Sequence, residues 1–253
     1  MAPGPPDRPS LCAVAGARRT VALDAGSSAA HTRAFLDAIA AEGVSPPSLV
    51  VYTHFHWDHV LGGTELGAPV VAHALTAEGL RELASRDWSD EGLDRRVADG
   101  LASPEHAAHV KAELPAPRVV EVAQADVVFE DGLDLDLGGV TVRVRHVGGE
   151  HSADSTVMLV EPDGVLFIGD AIYASPRGVL TRDSAWRLRE TILGFGAERY
   201  VEGHHESVST RAEMLEFYET MAAAEEAART GSELAGADED TEYFRAAFAA
   251  GLG

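Results

Sequence analysis

The sequence predicts an α+β fold, a four-layer αβ/βα sandwich with a helical insertion and a helical C-terminal extension. Three observations carry that expectation. Short apolar runs alternate with helix-period patterns through residues 11–205, the signature of sheets layered with helices. Each half of that span shows strand pairs, then a strand ending in His or Asp, then a helix, so two packed sheets would align those strand ends along one edge. Residues 75–117, and again those beyond 209, are charged and helical in pattern. No low-complexity segment or linker separates two folding units, so residues 1–253 are read as a single domain.

The elements follow in order. LCAVA (11–15) and TVALD (20–24) read as strands joined by a Gly-Ala-Arg-Arg turn, and Asp24-Ala25-Gly26 ends the second. Residues 29–43 form an amphipathic helix with Phe35, Leu36 and Ile39 inside, stopped by Pro46-Pro47. LVVYT (49–53) and PVVAH (69–73) are strands. Residues 75–117, Ala-rich and bounded by Pro115 and Pro117, read as two or three helices placed as a cap over a site. Strands return at 118–122, 126–129, 133–137, 140–146, 155–160 and 165–169, with turns at Asp131-Gly132, Gly138-Gly139 and Asp163-Gly164. Residues 183–194 are helical and RYVEG (199–203) is a last strand. The extension, residues 206–253, is helical and acidic over 209–229 and 240–250. Met214, Phe217, Tyr218 and Met221 there stand at helical spacing, suited to packing on the domain or on a second copy in a homo-oligomer.

Composition narrows the function classes. Hydrophobic residues make up 45% and charged residues 24% of the chain, a globular balance. No apolar run reaches the roughly 18 residues of a membrane helix. The opening MAPGPPDRPS holds four prolines and no apolar signal stretch, so a cytoplasmic location is expected. Cys12 is the only cysteine, which excludes an internal disulfide and a thiolate metal cluster; in a short apolar strand it reads as core. The formal net charge of −21 repels phosphate backbones and anionic headgroups, so neither nucleic acid nor membrane is an expected partner. Lys111 is the only lysine, Gln124 the only glutamine, and asparagine is absent, a bias that points to GC-rich coding and a bacterial source.

Chemistry concentrates at Thr53-His54-Phe55-His56-Trp57-Asp58-His59, directly after an apolar strand. Three imidazoles and a carboxylate within six residues do not serve packing, because each buried polar group needs a partner. Alternate residues at a strand end point the same way, so His54 and His56 reach one ion. The chain then turns into a helix opening near Asp58, which directs Asp58 and His59 to a neighbouring point. The spacing suits two adjacent metals.

This segment resembles the H-x-H-x-D-H motif of the metallo-β-lactamase-fold hydrolases, and further landmarks follow in the family's order. Asp24, in VALDAG, matches the family's strand-terminal Asp-x-Gly. His151, in GGEHSADS, matches the third ligand of the first metal, Asp170, in LFIGDA, the bridging carboxylate, and His204, in VEGHH, the last ligand of the second metal. The resemblance spans residues 11–205, about four-fifths of the chain. It implies that His54, His56 and His151 hold one metal, that Asp58, His59 and His204 hold the other, and that Asp170 is shared. Asp24 then hydrogen-bonds a ligand imidazole and fixes its tautomer. The residues make sense on their own terms, since Asp170 follows the apolar strand VLFIG, and His151 and His204 follow the strands 140–146 and 199–203 toward one sheet edge. Five imidazoles and two carboxylates without a thiolate suit zinc, with iron or manganese as alternatives.

Six histidines remain. His205 adjoins His204, and the family's Gly-His order favours His204. His146 reads as a satisfied strand histidine, and His31, His73, His106 and His109 as structural or exposed. Two positions depart from the family: Glu150 precedes the third ligand where Pro-Gly is usual, and Asp154 replaces a small residue after it. Both would add negative charge beside the metals and disfavour a strongly anionic substrate unless arginines compensate.

Two cations about 3.5–4 Å apart bind one water between them and lower its pKa to about 7. The resemblance therefore implies a dinuclear hydrolase acting on a small molecule. Its bridging hydroxide would attack an ester-, thioester-, lactone- or amide-type carbonyl, a phosphodiester being less favoured, while Asp58 orients the nucleophile or relays a proton. Tyr173 is the best single candidate for a substrate contact or oxyanion donor. Arg177, Arg182, Arg187 and Arg189 offer an anion anchor or a solvated helix face, and Phe55, Trp57, Trp88 and Trp186 a pocket lining or plain core. Within the family the ligand set is that of glyoxalase II, although the acidic region after residue 205 does not match the basic glutathione-binding helices of that branch. The commonest zinc β-lactamases use a Cys ligand, flavodiiron proteins replace the second His with Glu, and RNA-processing members suit a less acidic chain. A mononuclear iron sulfur dioxygenase and a non-catalytic metal-binding member are the readings from other classes.

Overall fold

The computed structural model describes residues 1–234 and 236–252; Ala235 and Gly253, inside the expected C-terminal extension, lie outside the described residues. The first half runs through β1 (Cys12–Ala15), β2 (Thr20–Leu23), α1 (Ala29–Ala41), β3 (Leu49–Val51), α2 (Trp57–Val60), α3 (Gly63–Leu66) and β4 (Val70–His73). The insertion forms three helices, α4 (Ala74–Ser85), α5 (Asp90–Ala98) and α6 (Pro104–Glu113), before β5 (Val127–Phe129). The second half contains β6 (Gly132–Asp136), β7 (Thr141–His146), β8 (Thr156–Glu161), β9 (Val165–Gly169), α7 (Arg182–Gly194), β10 (Arg199–Glu202) and β11 (Ser209–Thr210). The chain ends in α8 (Arg211–Thr230) and α9 (Glu239–Gly251).

Strand alternation builds four layers from these elements. The two sheets have the orders β1-β2-β3-β4-β5 and β11-β10-β9-β8-β7-β6. Val21 and Leu23 of β2, Val51 of β3 and Val71 of β4 meet Val142, Val144, Met158 and Phe167 of the second sheet in a core between the sheets. The alternating residues Ala22, Val50, Tyr52, Val70 and Ala72 face outward onto Phe35 of α1, Leu80 and Leu83 of α4, and Val110 of α6. On the far side Val157, Leu159, Leu166 and Ile168 face Leu188 and Ile192 of α7, Met214 and Met221 of α8, and Phe244 and Phe248 of α9. Burying each large apolar side chain contributes about 1.5–3 kcal/mol, so the period of two in these strands holds helix, sheet, sheet and helix together. This is the expected αβ/βα sandwich. Among the described residues no helix is long and apolar enough to cross a membrane.

The strand expected at 118–122 does not form. Val119 is 86% exposed, whereas Val120 and Val122 pack on the helical side of the first sheet. Their alternation serves helix packing instead of a ladder, and pairing with β4 begins only at Val127. The sequence also gave no sign of α3, which hides in Gly63-Thr64-Glu65-Leu66, or of the two-residue β11 ahead of α8.

Candidate metal centre

Loops at the ends of β3, β9 and β10, together with the turn between β7 and β8, converge on one edge of the sandwich. β3 stops at Val51, and the next residues leave the sheet. His56 then caps α2, whose single turn returns Asp58 and His59 toward the same edge. Among the described residues two groups result that could hold a metal ion, His54 with His56 and His151, and Asp58 with His59, Asp170 and His204. Within each group one donor atom per residue lies within 4.8 Å of all the others.

In the first group His151 Nε2 lies 3.3 Å from His54 Nε2 and 2.9 Å from His56 Nδ1. In the second, Asp58 Oδ2 lies 3.2 Å from both His59 Nε2 and His204 Nε2. Asp170 Oδ2 faces both groups: it is 3.3 Å from His59 Nε2, 3.4 Å from His204 Nε2, 3.4 Å from His151 Nε2 and 4.0 Å from His54 Nε2. Asp170 comes this close because Gly203 has no side chain; a Cβ there would stand 1.8 Å from Asp170 Oδ1.

The backs of the rings are held in place. Asp24 ends β2 in the left-handed region at φ 60°, a conformation that is costly for a side-chain-bearing residue. Its carboxylate accepts from Thr53 N at 2.7 Å and Thr53 Oγ1 at 2.8 Å, and lies 2.8 Å from His59 Nδ1. Thr53 Oγ1, its own proton given to Asp24, lies 2.9 Å from His54 Nδ1. His151 Nδ1 donates to Ala174 O at 3.1 Å. These contacts keep Nδ1 protonated in His54, His59 and His151, and turn the Nε2 atoms to the centre. Sequence reasoning found Asp24 but missed Thr53 and Ala174. Thr53 could have been noticed as the hydroxyl directly before the first histidine. Ala174 acts through its backbone carbonyl and leaves no signal in the sequence.

Burial and mutual charge divide the two groups. Burial, with neighbouring imidazoles adding to it, holds His54 well below the ordinary histidine range and brings His56 down to about 3; His151 is also lowered by burial. Burial opposes charge on His59 and His204 too, but Asp170 and Asp58 prevail, lifting His59 well above its usual value and His204 to about 10. Burial alone would raise Asp58 and Asp170; His59 and His204 beside them carry both well below the carboxylate range. His59 Nε2 and Asp170 Oδ1 are nonetheless buried without a hydrogen-bond partner among the described residues. Buried, unpartnered nitrogen and carboxylate atoms of this kind fit divalent cations.

The sequence profile of the metallo-β-lactamase superfamily matches residues 6–219. The chain belongs to the metallo-β-lactamase superfamily. A hydroxyacylglutathione hydrolase of Methylococcus capsulatus is 28% identical over 166 residues, covering 64% of this chain and 50% of that protein; the match thus spans half of that relative's length. A metallo-β-lactamase family protein of Thermus thermophilus shares the fold at TM-score 0.63 and 22% identity, over 98% of this chain and 88% of its own. An archaeal superfamily protein of Sulfolobus tokodaii superposes at TM-score 0.62 with 20% identity, covering 100% of this chain and 95% of the other. The sec-alkylsulfatase of a Pseudomonas species reaches TM-score 0.66 at 15% identity, over 97% of this chain and 48% of its own.

In this superfamily member the other candidates fall into place by their contacts. Tyr173 stands beside the centre, its ring centroid 6.2 Å from that of His151 and 6.5 Å from that of His204. His205 lies outside both groups, its Nδ1 3.1 Å from Ser207 O. His73 and His146 stack on each other at 3.8 Å, away from the groups. Trp57 and Trp88 are buried in the core on the helical side of the first sheet, Phe55 packs against it, and Trp186 packs on the core of the second. Arg182 pairs with Glu225, Arg187 donates to Val147 O, and Arg189 lies over the Tyr218 ring. Asp154 corrects the expectation that it lines the wall beside the metals. It is 2% exposed and accepts from Phe55 N, Thr76 Oγ1 and Ser152 Oγ, bracing the turn to the loop. Glu150 accepts from Thr181 Oγ1 at 2.6 Å.

Proposed function

We propose that this chain is a dinuclear metal-dependent hydrolase, with His54, His56 and His151 around one ion, Asp58, His59 and His204 around the other, and Asp170 shared. The observation that carries the reading is the position of Asp170 Oδ2, within 4.0 Å of imidazole nitrogens from both groups. Nitrogen and carboxylate donors without a thiolate suit zinc, with iron or manganese next. Bound ions would supply Lewis acidity and a water that ionises near neutral pH.

The chain's residues have their own parts. Asp58, kept ionised by His59 and His204, would orient the attacking water or relay its proton. Tyr173 stays a protonated phenol because burial, Glu202 and Asp170 raise it well above the usual range; its OH donates to Glu202 Oε2 at 3.4 Å and is within the same wall as the ligands. Asp24 and Thr53 fix two ring tautomers without touching substrate.

The substrate reading follows from charge. Of the expected anion anchors, Arg182, Arg187 and Arg189 are engaged with Glu225, Val147 O and the Tyr218 ring, and Arg177 is exposed on the loop before α7. That supports a small ester, thioester, lactone or amide over a phosphodiester, and the net charge of −21 argues against nucleic acid. The insertion is read as a cap, and its His106 ring meets that of Trp57 at 6.0 Å on the helical side of the first sheet.

Elemental mass spectrometry on untagged protein purified without chelators tests the reading. About two zinc, iron or manganese ions per chain are expected, with turnover in a panel of lactones and thioesters. A single iron per chain would replace the hydrolase by a dioxygenase, and no ion after reconstitution would sink both.

A further inference from the structure

We propose that Asp7, on a strap formed by residues 1–11, is the positioning residue of His204, so that the Pro-rich opening segment is part of the metal centre. The inference rests on the two-ion reading above. Its starting point is a pattern. Of the imidazoles that turn Nε2 to the centre, His54 has Thr53 Oγ1 behind Nδ1, His59 has Asp24 Oδ2 and His151 has Ala174 O. Behind His204 Nδ1 stands Asp7 Oδ1, at 3.7 Å. That distance is a charge contact and is longer than a hydrogen bond, which fits the outermost ring of the set: His204 and Asp7 side chains are 27% and 33% exposed.

The strap is built to hold this carboxylate in place. Pro3, Pro5, Pro6 and Pro9 restrict its backbone. Gly4 and Arg8 exchange backbone hydrogen bonds at 2.9 and 2.7 Å across the turn, and Leu11 N donates to Met1 O at 3.0 Å. Ser10 N donates to Gly203 O at 2.6 Å, one residue before His204, which ties the strap to the ligand loop itself. Arg8 Nε reaches both carboxylate oxygens of Glu113 at the end of α6, and Glu113 also accepts from Ser28 Oγ at the cap of α1. Asp7 Oδ2 lies 3.4 Å from His109 Nδ1, also on α6. A carboxylate with one oxygen at His109 and the other behind a candidate ligand, on a strap tied down at Arg8 and Ser10, orients that ligand's ring.

Cobalt(II) titration of full-length Asp7→Asn, read by affinity and by proton NMR of the loaded protein, tests the assignment. The expected result is about a tenfold or greater loss of affinity for one ion with the other unchanged, together with loss or movement of one strongly shifted, exchangeable imidazole N–H resonance. Asp7→Glu should recover part of both. Unchanged affinities and resonances in Asp7→Asn would overturn the proposal, as would equal weakening of both ions, the mark of general loosening. If the parent takes only one cobalt, the two-ion reading falls by itself. The resonance comparison then decides on Asp7 alone, a displaced signal supporting it and an unchanged spectrum overturning it.

Discussion

Single atoms at Asp24, Asp58 and Gly203 decide whether the centre can be assembled. The left-handed backbone of Asp24 and the missing side chain of Gly203 both admit carboxylates to places where an ordinary residue would exclude them. Asp58 differs in being proposed to act on the reaction itself. Asp58→Ala should lower turnover by about a thousandfold or more while far-UV circular dichroism stays that of the parent, because one buried charge is lost from the short helix α2, whose core contacts through Trp57 and Val60 remain. Turnover at the parent rate would remove Asp58 from the mechanism. His31 makes a separate prediction about stability. It is fully buried, and burial, with Arg8 adding to it, lowers its pKa to about 4. Between about pH 6.5 and about pH 4 the unfolded chain binds a proton that the folded chain refuses, so this residue's effect is absent at neutral pH and costs stability as pH falls through that window. Urea unfolding at about pH 7.5 and about pH 5 should show the parent losing on the order of 2 kcal/mol more than His31→Gln over the interval. Equal losses would show that the imidazole titrates as if exposed.

Among the elements, the loop after β3 and the turn between β7 and β8 belong to different sheets, and Asp154 joins them. Its Oδ2 accepts from Phe55 N at 2.9 Å and from Thr76 Oγ1 of α4 at 2.7 Å. Asp154→Ala should cost about 3 kcal/mol in urea unfolding, since buried donors lose a charged acceptor; an unchanged midpoint would mean that the brace is idle. The brace also shows which parts of the molecule can be read from sequence. Four of the seven converging donors fall within His54-Phe55-His56-Trp57-Asp58-His59, where local geometry alone brings them close, and the other three follow strands whose ends share an edge. The strands themselves were legible from their period, except at 118–122, where the same alternation packs on helices. Asp154 was taken for a charge in the wall because nothing local says which way a turn residue faces. Asp7 and Thr53 were passed over for a related reason: their partners, His204 and Asp24, are distant in sequence and meet them only in the assembled fold.

At the scale of the whole molecule, the centre lies where the two sheets meet. His54, His56, Asp58 and His59 come from the first sheet's side, and His151, Asp170 and His204 from the second's. Bound ions would therefore act as cross-links between halves otherwise joined by the apolar core of Val21, Leu23, Val51, Met158 and Phe167. Without ions, Asp58 and Asp170 are balanced there by His59 and His204, and His59 Nε2 and Asp170 Oδ1 are left without a hydrogen-bond partner. Ligands that bind only the folded state stabilise it by mass action, about 4 kcal/mol when free ion exceeds its Kd a thousandfold. For a chain of this size, that corresponds to a fall in Tm on the order of 10 °C after chelation. The loss should also be local. Hydrogen exchange after chelation should quicken at residues 53–60, 148–155, 169–174 and 203–205, while α8, packed on the far side of the second sheet, keeps its protection. Uniform quickening across both sheets would mean that the ions hold the whole fold. An unchanged Tm with unchanged exchange at the four segments would mean that the converging side chains hold no ion.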